Sequence, residues 1–285
     1  MKLVQGLLSK VVRSDWARLL ASAPVVGKLV RSMGNILVSR IGAIHPYNIE
    51  GIRVFLDCNS LPPDYMMVLE AVIGSMPLGG VFYDIGCHKA RYSLPVAKVV
   101  GKEGKVVGFE PNPARNKRTR GLIRINQVSD ILELHEIALD MHSGYGVLYI
   151  PDKDCCSSLD REAALNKSGV GEQGNRKEQR ILRRSIQVKT ESLDEYVVRN
   201  NIRPPNVIKI DVQGAEYSVL MGAQAIIEKA LPILVVEVHV DLIKLFGYSQ
   251  EELLALLNKW GYRVDTLGWH NNDLHIRAIP IGNGG

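Results

Sequence analysis

The run Val81-Phe-Tyr-Asp-Ile-Gly-Cys-His-Lys-Ala-Arg-Tyr-Ser93, followed by Val106-Val-Gly-Phe-Glu-Pro-Asn-Pro113, constrains this chain more than any other feature. It reads as an apolar strand, a small-residue turn, a helix, and a second apolar strand that ends in an acid. In an open parallel sheet, ligands sit beyond the carboxyl ends of the strands. There the first turn must let backbone come close, and the second strand's acid can hold ribose hydroxyls. Gly86 is placed for the close approach and Glu110 for the acid, at a spacing that fits the roughly 20-residue interval of a β-α-β half. The pattern points to a nucleotide-like ligand and leaves open which one.

The same rhythm continues along the chain. Strands are expected at 81–86, 105–110 and 131–138, alternating with helices at 92–100 and 114–125. Upstream, 52–56 reads as a short strand, Pro62 and Pro63 as a turn, and Asp64 as the cap of a helix running to Ile73. Between Gly144 and Val188 the rhythm breaks among scattered glycines and polar residues, which predicts an insertion of two strands and a mobile loop. Order returns at Val207–Asp211, then in a helix from about 215 to 230. The run Ile233-Leu-Val-Val-Glu-Val-His239 is so apolar that it belongs mid-sheet. A helix at 249–259 and a closing hairpin of 262–267 with 274–279 complete the pattern. Strands alternating with helices predict an α/β fold on a parallel sheet. The 285 residues suffice for one such domain, 71–285, behind an extension, 1–70.

Charge sets that extension apart. Lys2, Lys10, Arg13, Arg18, Lys28, Arg31 and Arg40 face only Asp15, so the first 49 residues carry +6 of a net +5 and the remainder is close to neutral. Leucines and valines recur there at helical spacing, which predicts a basic amphipathic helical segment. Lys10 and Arg13 interrupt its first apolar run, so it fits neither a signal peptide nor a membrane span. Two uses fit it: packing on the domain or on a second copy, and peripheral contact of residues 1–40 with an anionic membrane surface or lipid-linked substrate. The expected location is cytoplasmic. Cys58, Cys87, Cys155 and Cys156 form no Cys-x-x-Cys pair and accompany no histidines at zinc spacing, so reduced thiols and no metal are expected.

Two further constellations lie on the same side of the expected sheet. Asp211-Val-Gln-Gly-Ala-Glu216 leaves one strand for a helix, and Glu237 and His239 sit two apart on the next, which turns both side chains to one face. With these in place, the runs Asp84-x-Gly-x-x-x-Ala-x-x-Ser93, Phe109-Glu-Pro-x-Pro113, Ile137-Ala-Leu139, Ser157-Ser-Leu159, Ser192-Leu-Asp194, Ile208-Lys-Ile-Asp-Val-Gln-Gly-Ala-Glu216 and Val236-Glu-x-His239 together resemble the FkbM-type methyltransferases. The resemblance covers about residues 70 to 270.

The resemblance implies a class I methyltransferase fold, Rossmann-like and doubly wound on seven strands, using S-adenosylmethionine on an oxygen acceptor. By the same resemblance, Asp84 and the Gly86 turn, with Cys87 and Tyr92, would hold the methionine part, Glu110 the ribose, Asn112 the rim, and Ala138 and Leu139 the adenine. Asp211 would face the methyl group, His239 would take the acceptor proton, and Glu237 would orient His239 or bind an acceptor hydroxyl. The family pattern has a glycine at Ala90 and an acid at Gln213; His88 and Lys89 are also unusual in that turn.

The basic run Arg115, Lys117, Arg118, Arg120 and Arg124 reads as a solvated helix face. A second run, Arg176, Lys177, Arg180, Arg183 and Arg184, suits a lid over an anionic acceptor. Neither is interleaved with aromatics, so nucleic acid is not an expected partner. The expected acceptor is a saccharide, glycan or related small molecule. Two alternatives stand beside this reading. One is a non-catalytic protein that binds S-adenosylmethionine or a glycan, suggested by Ala90 and Gln213. The other is an NAD-dependent oxidoreductase, against which the missing Gly-x-Gly-x-x-Gly turn counts.

Overall fold

The computed structural model describes residues 44–49, 51–58, 61–152, 156–165 and 181–282. The basic extension up to residue 43, Cys155, and the segment 166–180 with Arg176, Lys177 and Arg180 lie outside the described residues.

The core strands form because their sequences are apolar and β-branched on both faces, which suits burial between two layers of helices. Strands β1 (Ile44–Ile49) and β2 (Ile52–Asp57) make a small sheet of their own. The main sheet contains β3 (Val81–Ile85), β4 (Lys105–Phe109), β5 (Leu132–His135), β9 (Val207–Ile210), β10 (Ile233–His239), β11 (Tyr262–His270) and β12 (Asp273–Pro280). Their order is β11-β12-β10-β9-β3-β4-β5. Neighbours from β10 to β5 are parallel, while β12 runs antiparallel to both β10 and β11. β10 is interior and the closing hairpin forms the edge, in line with the apolar run of the first and the sequence position of the second.

The chain winds outward from β3 to β4 and β5, then returns to β9 on β3's other side. The order therefore reverses between β3 and β9, which opens a crevice at their carboxyl ends. Tyr83, Ile85, Phe109, Ile208, Ile210, Leu234 and Val236 fill the core against Leu253 and Leu257 of the helix Gln250–Lys259. That helix starts at a capping box, Ser249 with Glu252, a device worth about 1 kcal/mol. The helix Pro113–Asn126 is fixed at its start by Asn112, whose side chain accepts from Ala114 N. At its end, Asn126 exchanges hydrogen bonds with the backbone of Phe55 on β2.

Several elements depart from the sequence expectation. The segment 131–138 is two strands, β5 and the short β6 (Ala138–Leu139), which leaves the main sheet. β6 lies parallel to β8 (Leu182–Glu191), and β8 pairs antiparallel with β7 (Gly144–Pro151). Between those two strands sits a short helix, Arg161–Leu165, that no periodicity announced. The expected helix 215–230 is two helices, Glu216–Met221 and Gln224–Ala230. The break falls at Gly222, where a Cβ would lie 2.2 Å from the carbonyl oxygen of Asp140. Asp64 stands before the helix Tyr65–Ile73 without capping it by its side chain.

Candidate active site

A cavity of about 320 Å³ opens at the β3/β9 crevice. Its walls come from the turn after β3, the ends of β4, β9 and β10, strand β6, and the β11–β12 connection.

The turn at Gly86 is tight because backbone meets backbone. Gly86 has φ +76, and a Cβ there would lie 1.9 Å from the carbonyl oxygen of Asp211. The close approach is thus to the end of β9, with Gly86 N and Cys87 N both donating to Phe109 O. His88 and Ala90 also take positive φ, 52° and 55°. Ala90, fully buried, therefore occupies a backbone position that glycine adopts without strain.

Asp84 is brought to the crevice but not onto the cavity wall. It is fully buried, accepts from Ser93 Oγ, and lies 3.6 Å from Lys209 Nζ. Burial pushes its carboxyl up, against the pull of Lys209 and Ser93. Asn112 is likewise buried and serves its helix start rather than the rim. Glu110 does line the cavity. Its Oε1 accepts from Asn112 N at 2.9 Å and lies 3.5 Å from Arg115. Arg115 is 6% exposed and donates to Ser157 Oγ at 2.9 Å, so it belongs to the site and not to a solvated face. Lys117, Arg120 and Arg124 of the same helix are exposed.

Cys87, Tyr92, Ala138 and Leu139 line the cavity and are buried. Burial holds the Cys87 thiol and the Tyr92 phenol well above their ordinary values, so both stay protonated. Tyr92 stacks on Tyr65 with ring centroids 5.1 Å apart, and Lys209 Nζ sits 4.8 Å from the Tyr92 centroid.

Lys209, Asp211, Glu237 and His239 form the polar heart of the wall. Lys209 is 2% exposed and bridges Asp211 Oδ2 at 3.2 Å and Asp84. Burial would lower its pKa, yet the carboxylates on either side raise it, so it carries full charge. Burial would likewise raise Asp211, and Lys209 and His239 instead hold it well below the usual carboxylate range. Glu237 has no such clamp: burial first, and then the Asp211 charge, push it up to about 8.

His239 is held from both ring nitrogens. Nδ1 lies 2.8 Å from Glu216 Oε1, and that oxygen also accepts from Gly214 N. Nε2 lies 2.7 Å from Gln213 Nε2, and the same amide donates to Asp211 Oδ1. A ring that accepts keeps the amide as placed; a ring that donates needs it turned, with its oxygen accepting. Nε2 is engaged in either arrangement. Burial alone would lower this imidazole, but Glu216, Glu237 and Asp211 lift it to about 10. Glu216 is fully buried, so its place is with His239 and not merely at a helix start.

Sequence reasoning passed over Lys209 as a site residue. Its signal was present, since a lysine two residues before Asp211 on an apolar strand must share that acid's face.

The family model for the methyltransferase FkbM domain matches residues 84–264. No curated protein matches the chain. Among solved structures, the methyltransferase FkbM from Methylobacillus flagellatus is similar at 14% identity and a TM-score of 0.46, over 70% of this chain and 43% of that one. The present chain thus spans less than half the length of that protein. A precorrin-6y C5,15-methyltransferase from Geobacter metallireducens is similar at 12% identity and a TM-score of 0.46, over 79% of this chain and 93% of the other. The O-methyltransferase from Bacillus cereus, solved with SAH, gives 12% identity and a TM-score of 0.42, over 79% and 84% of the two chains.

Proposed function

The chain belongs to the FkbM methyltransferase family, and from that premise we propose that it moves a methyl group from S-adenosylmethionine to a hydroxyl of a saccharide or related polyhydroxylated molecule. The observation that carries this reading is the shared cavity: Gly86, Glu110, Ala138 and Leu139 line the same space as Asp211, Glu237 and His239.

The residues present fit the cofactor. Glu110 offers a fixed carboxylate for vicinal ribose hydroxyls, and Ala138 and Leu139 offer an apolar bed for a purine. The cofactor supplies an already activated methyl, so the protein has to align the acceptor, exclude water and take up one proton. Both nitrogens of His239 are engaged, and we assign it to fixing Gln213 and the end of β10. The proton acceptor is Asp211, which lines the cavity and is held in orientation by Lys209 and Gln213; held well below the usual carboxylate range, it takes the proton only as the new C–O bond forms and the hydroxyl oxygen becomes strongly acidic. Glu237 receives an acceptor hydroxyl.

The far wall supports a neutral polyol over an anionic acceptor. Asp64, Glu237 and Asp273 line it together with His270, a carboxyl-rich set that offers hydrogen-bond acceptors to hydroxyls and no arginine or lysine of its own to a carboxylate or phosphate. Calorimetry with S-adenosylmethionine, S-adenosylhomocysteine and NAD tests the cofactor, and labelled methyl transfer to neutral glycosides against uronic acids tests the acceptor. The reading predicts binding of the first two ligands and labelling of the neutral set. Binding of NAD without either methionine derivative overturns it.

A further inference from the structure

We propose that Asp64, Glu237 and His275 form a binding site for one divalent first-row metal cation at the acceptor end of the cavity. Each offers a ligand atom, and the three atoms lie within 4.8 Å of one another. The topology builds this arrangement. Glu237 on β10 and His275 on β12 are directly opposed across the antiparallel pair, so their side chains rise from the same face. Asp64 enters from the start of the helix Tyr65–Ile73, where its side chain forgoes the capping bond that the position invites. Its Oδ2 points instead to His275 Nε2 at 3.7 Å, and its Oδ1 lies 3.7 Å from His270 Nε2.

A second observation points to a ligand. His275 is 1% exposed, and its Nε2 has no hydrogen-bond partner among the described residues; the same holds for Asp64 Oδ1. Buried polar atoms without partners are uncommon in folded proteins and call for an explanation. A buried imidazole nitrogen beside two carboxylates, at more than hydrogen-bond distance, is what a cation would join. Bonds of roughly 2.1 Å to each ligand draw such atoms to about 3 to 3.5 Å from one another. That is a short closure from the present spacing, within the reach of side-chain torsions.

Asp211, Glu237 and His239 also cluster, but that set is already used. Lys209 and Gln213 hold Asp211, and both His239 nitrogens are engaged. Two carboxylates and one imidazole suit Mn²⁺ or Zn²⁺ better than Ca²⁺ or Mg²⁺. The ligands are not cysteines, so the cysteine spacing that argued against a metal does not bear on them. Asp64 and Glu237 line the cavity, which leaves the remaining coordination positions facing the acceptor, where two neighbouring hydroxyls of a polyol would complete them.

The test uses the full chain stripped with a chelator and titrated with Mn²⁺ alone, followed by electron paramagnetic resonance and calorimetry, with Zn²⁺ in competition. The expected result is one bound equivalent, weakened at least about ten-fold in Asp64→Asn and in His275→Gln. Asp211→Asn should bind Mn²⁺ like the parent protein. Thermal unfolding and S-adenosylhomocysteine binding, unchanged in Asp64→Asn, separate loss of the cation from loss of the fold or of the cofactor reading. The proposal is overturned by absence of stoichiometric binding, by undiminished binding in Asp64→Asn, or by binding lost only in Asp211→Asn.

Discussion

Replacing Lys209 by Met removes one charge from the interior and leaves two carboxyl groups behind. Lys209 is 2% exposed, and its Nζ lies 3.2 Å from Asp211 and 3.6 Å from Asp84, itself fully buried. Met matches the length of the lysine stem, so the change isolates charge from packing. Breaking a buried pair by removing one partner costs about 3–5 kcal/mol, a large share of the 5–15 kcal/mol that holds a typical domain together. The pH dependence separates this cause from a packing defect. Asp84 is already raised above 3.8 by burial, with Lys209 opposing that rise. Without the lysine its folded pKa climbs further, and a carboxyl whose folded pKa exceeds its unfolded one weakens the fold at any higher pH. That penalty fades as pH falls through the folded value. Urea unfolding should therefore show a gap between Lys209→Met and the parent protein that is widest at neutral pH and narrows as the pH falls through the folded value of Asp84. Adding Asp84→Asn to the variant should recover part of the loss at pH 7. A loss below about 1 kcal/mol, or a gap that does not change with pH, refutes the reasoning.

Further outcomes follow from the same geometry. Gly86→Ala sets a Cβ 1.9 Å from the Asp211 carbonyl at φ +76, so the end of β9 has to move. Thermal unfolding should show a loss of several kcal/mol (about 2–4, on the scale of strain plus overpacking), and an unchanged midpoint would mean that the turn is not closed as described. Asp211→Asn should lower turnover on an accepted substrate by about 10²- to 10⁴-fold while S-adenosylhomocysteine affinity stays close to that of the parent; equal turnover removes Asp211 as the proton acceptor. Glu110→Gln should weaken S-adenosylhomocysteine binding by about 1–3 kcal/mol in calorimetry, and unaltered affinity takes Glu110 off the ribose.

Apolar continuity announced the strands β3, β4, β9 and β10, because runs such as Ile233–His239 have to be covered on both faces. The ends of elements were harder to read. The break at Gly222 depends on the carbonyl of Asp140, more than eighty residues earlier, and no local pattern carries that. Likewise the family resemblance put Asn112 at the rim, whereas its side chain fixes the start of its own helix. Arg115 read as one of a basic face, although a residue at the first turn of a helix that starts beside the cavity points back into it.

The case of His239 shows where local inference stops. Alternation along β10 correctly turned Glu237 and His239 to one side, and a histidine facing a reaction cavity is an obvious base. Whether it can act as one depends on its two nitrogens. Those are settled by Gln213, at φ 58, and by Gly214, at φ 107. This left-handed turn folds the Gln213 side chain back to His239 and sets the Gly214 N–H on Glu216. The residues Gln213 and Glu216 lie three apart in sequence, yet they meet the histidine from opposite sides of its ring. A reading that weighed Gln213 only as a lost acid therefore missed its effect. An acid there would add a third carboxylate beside Asp211 and Glu237 at His239 Nε2, whereas the neutral amide meets the ring without adding charge.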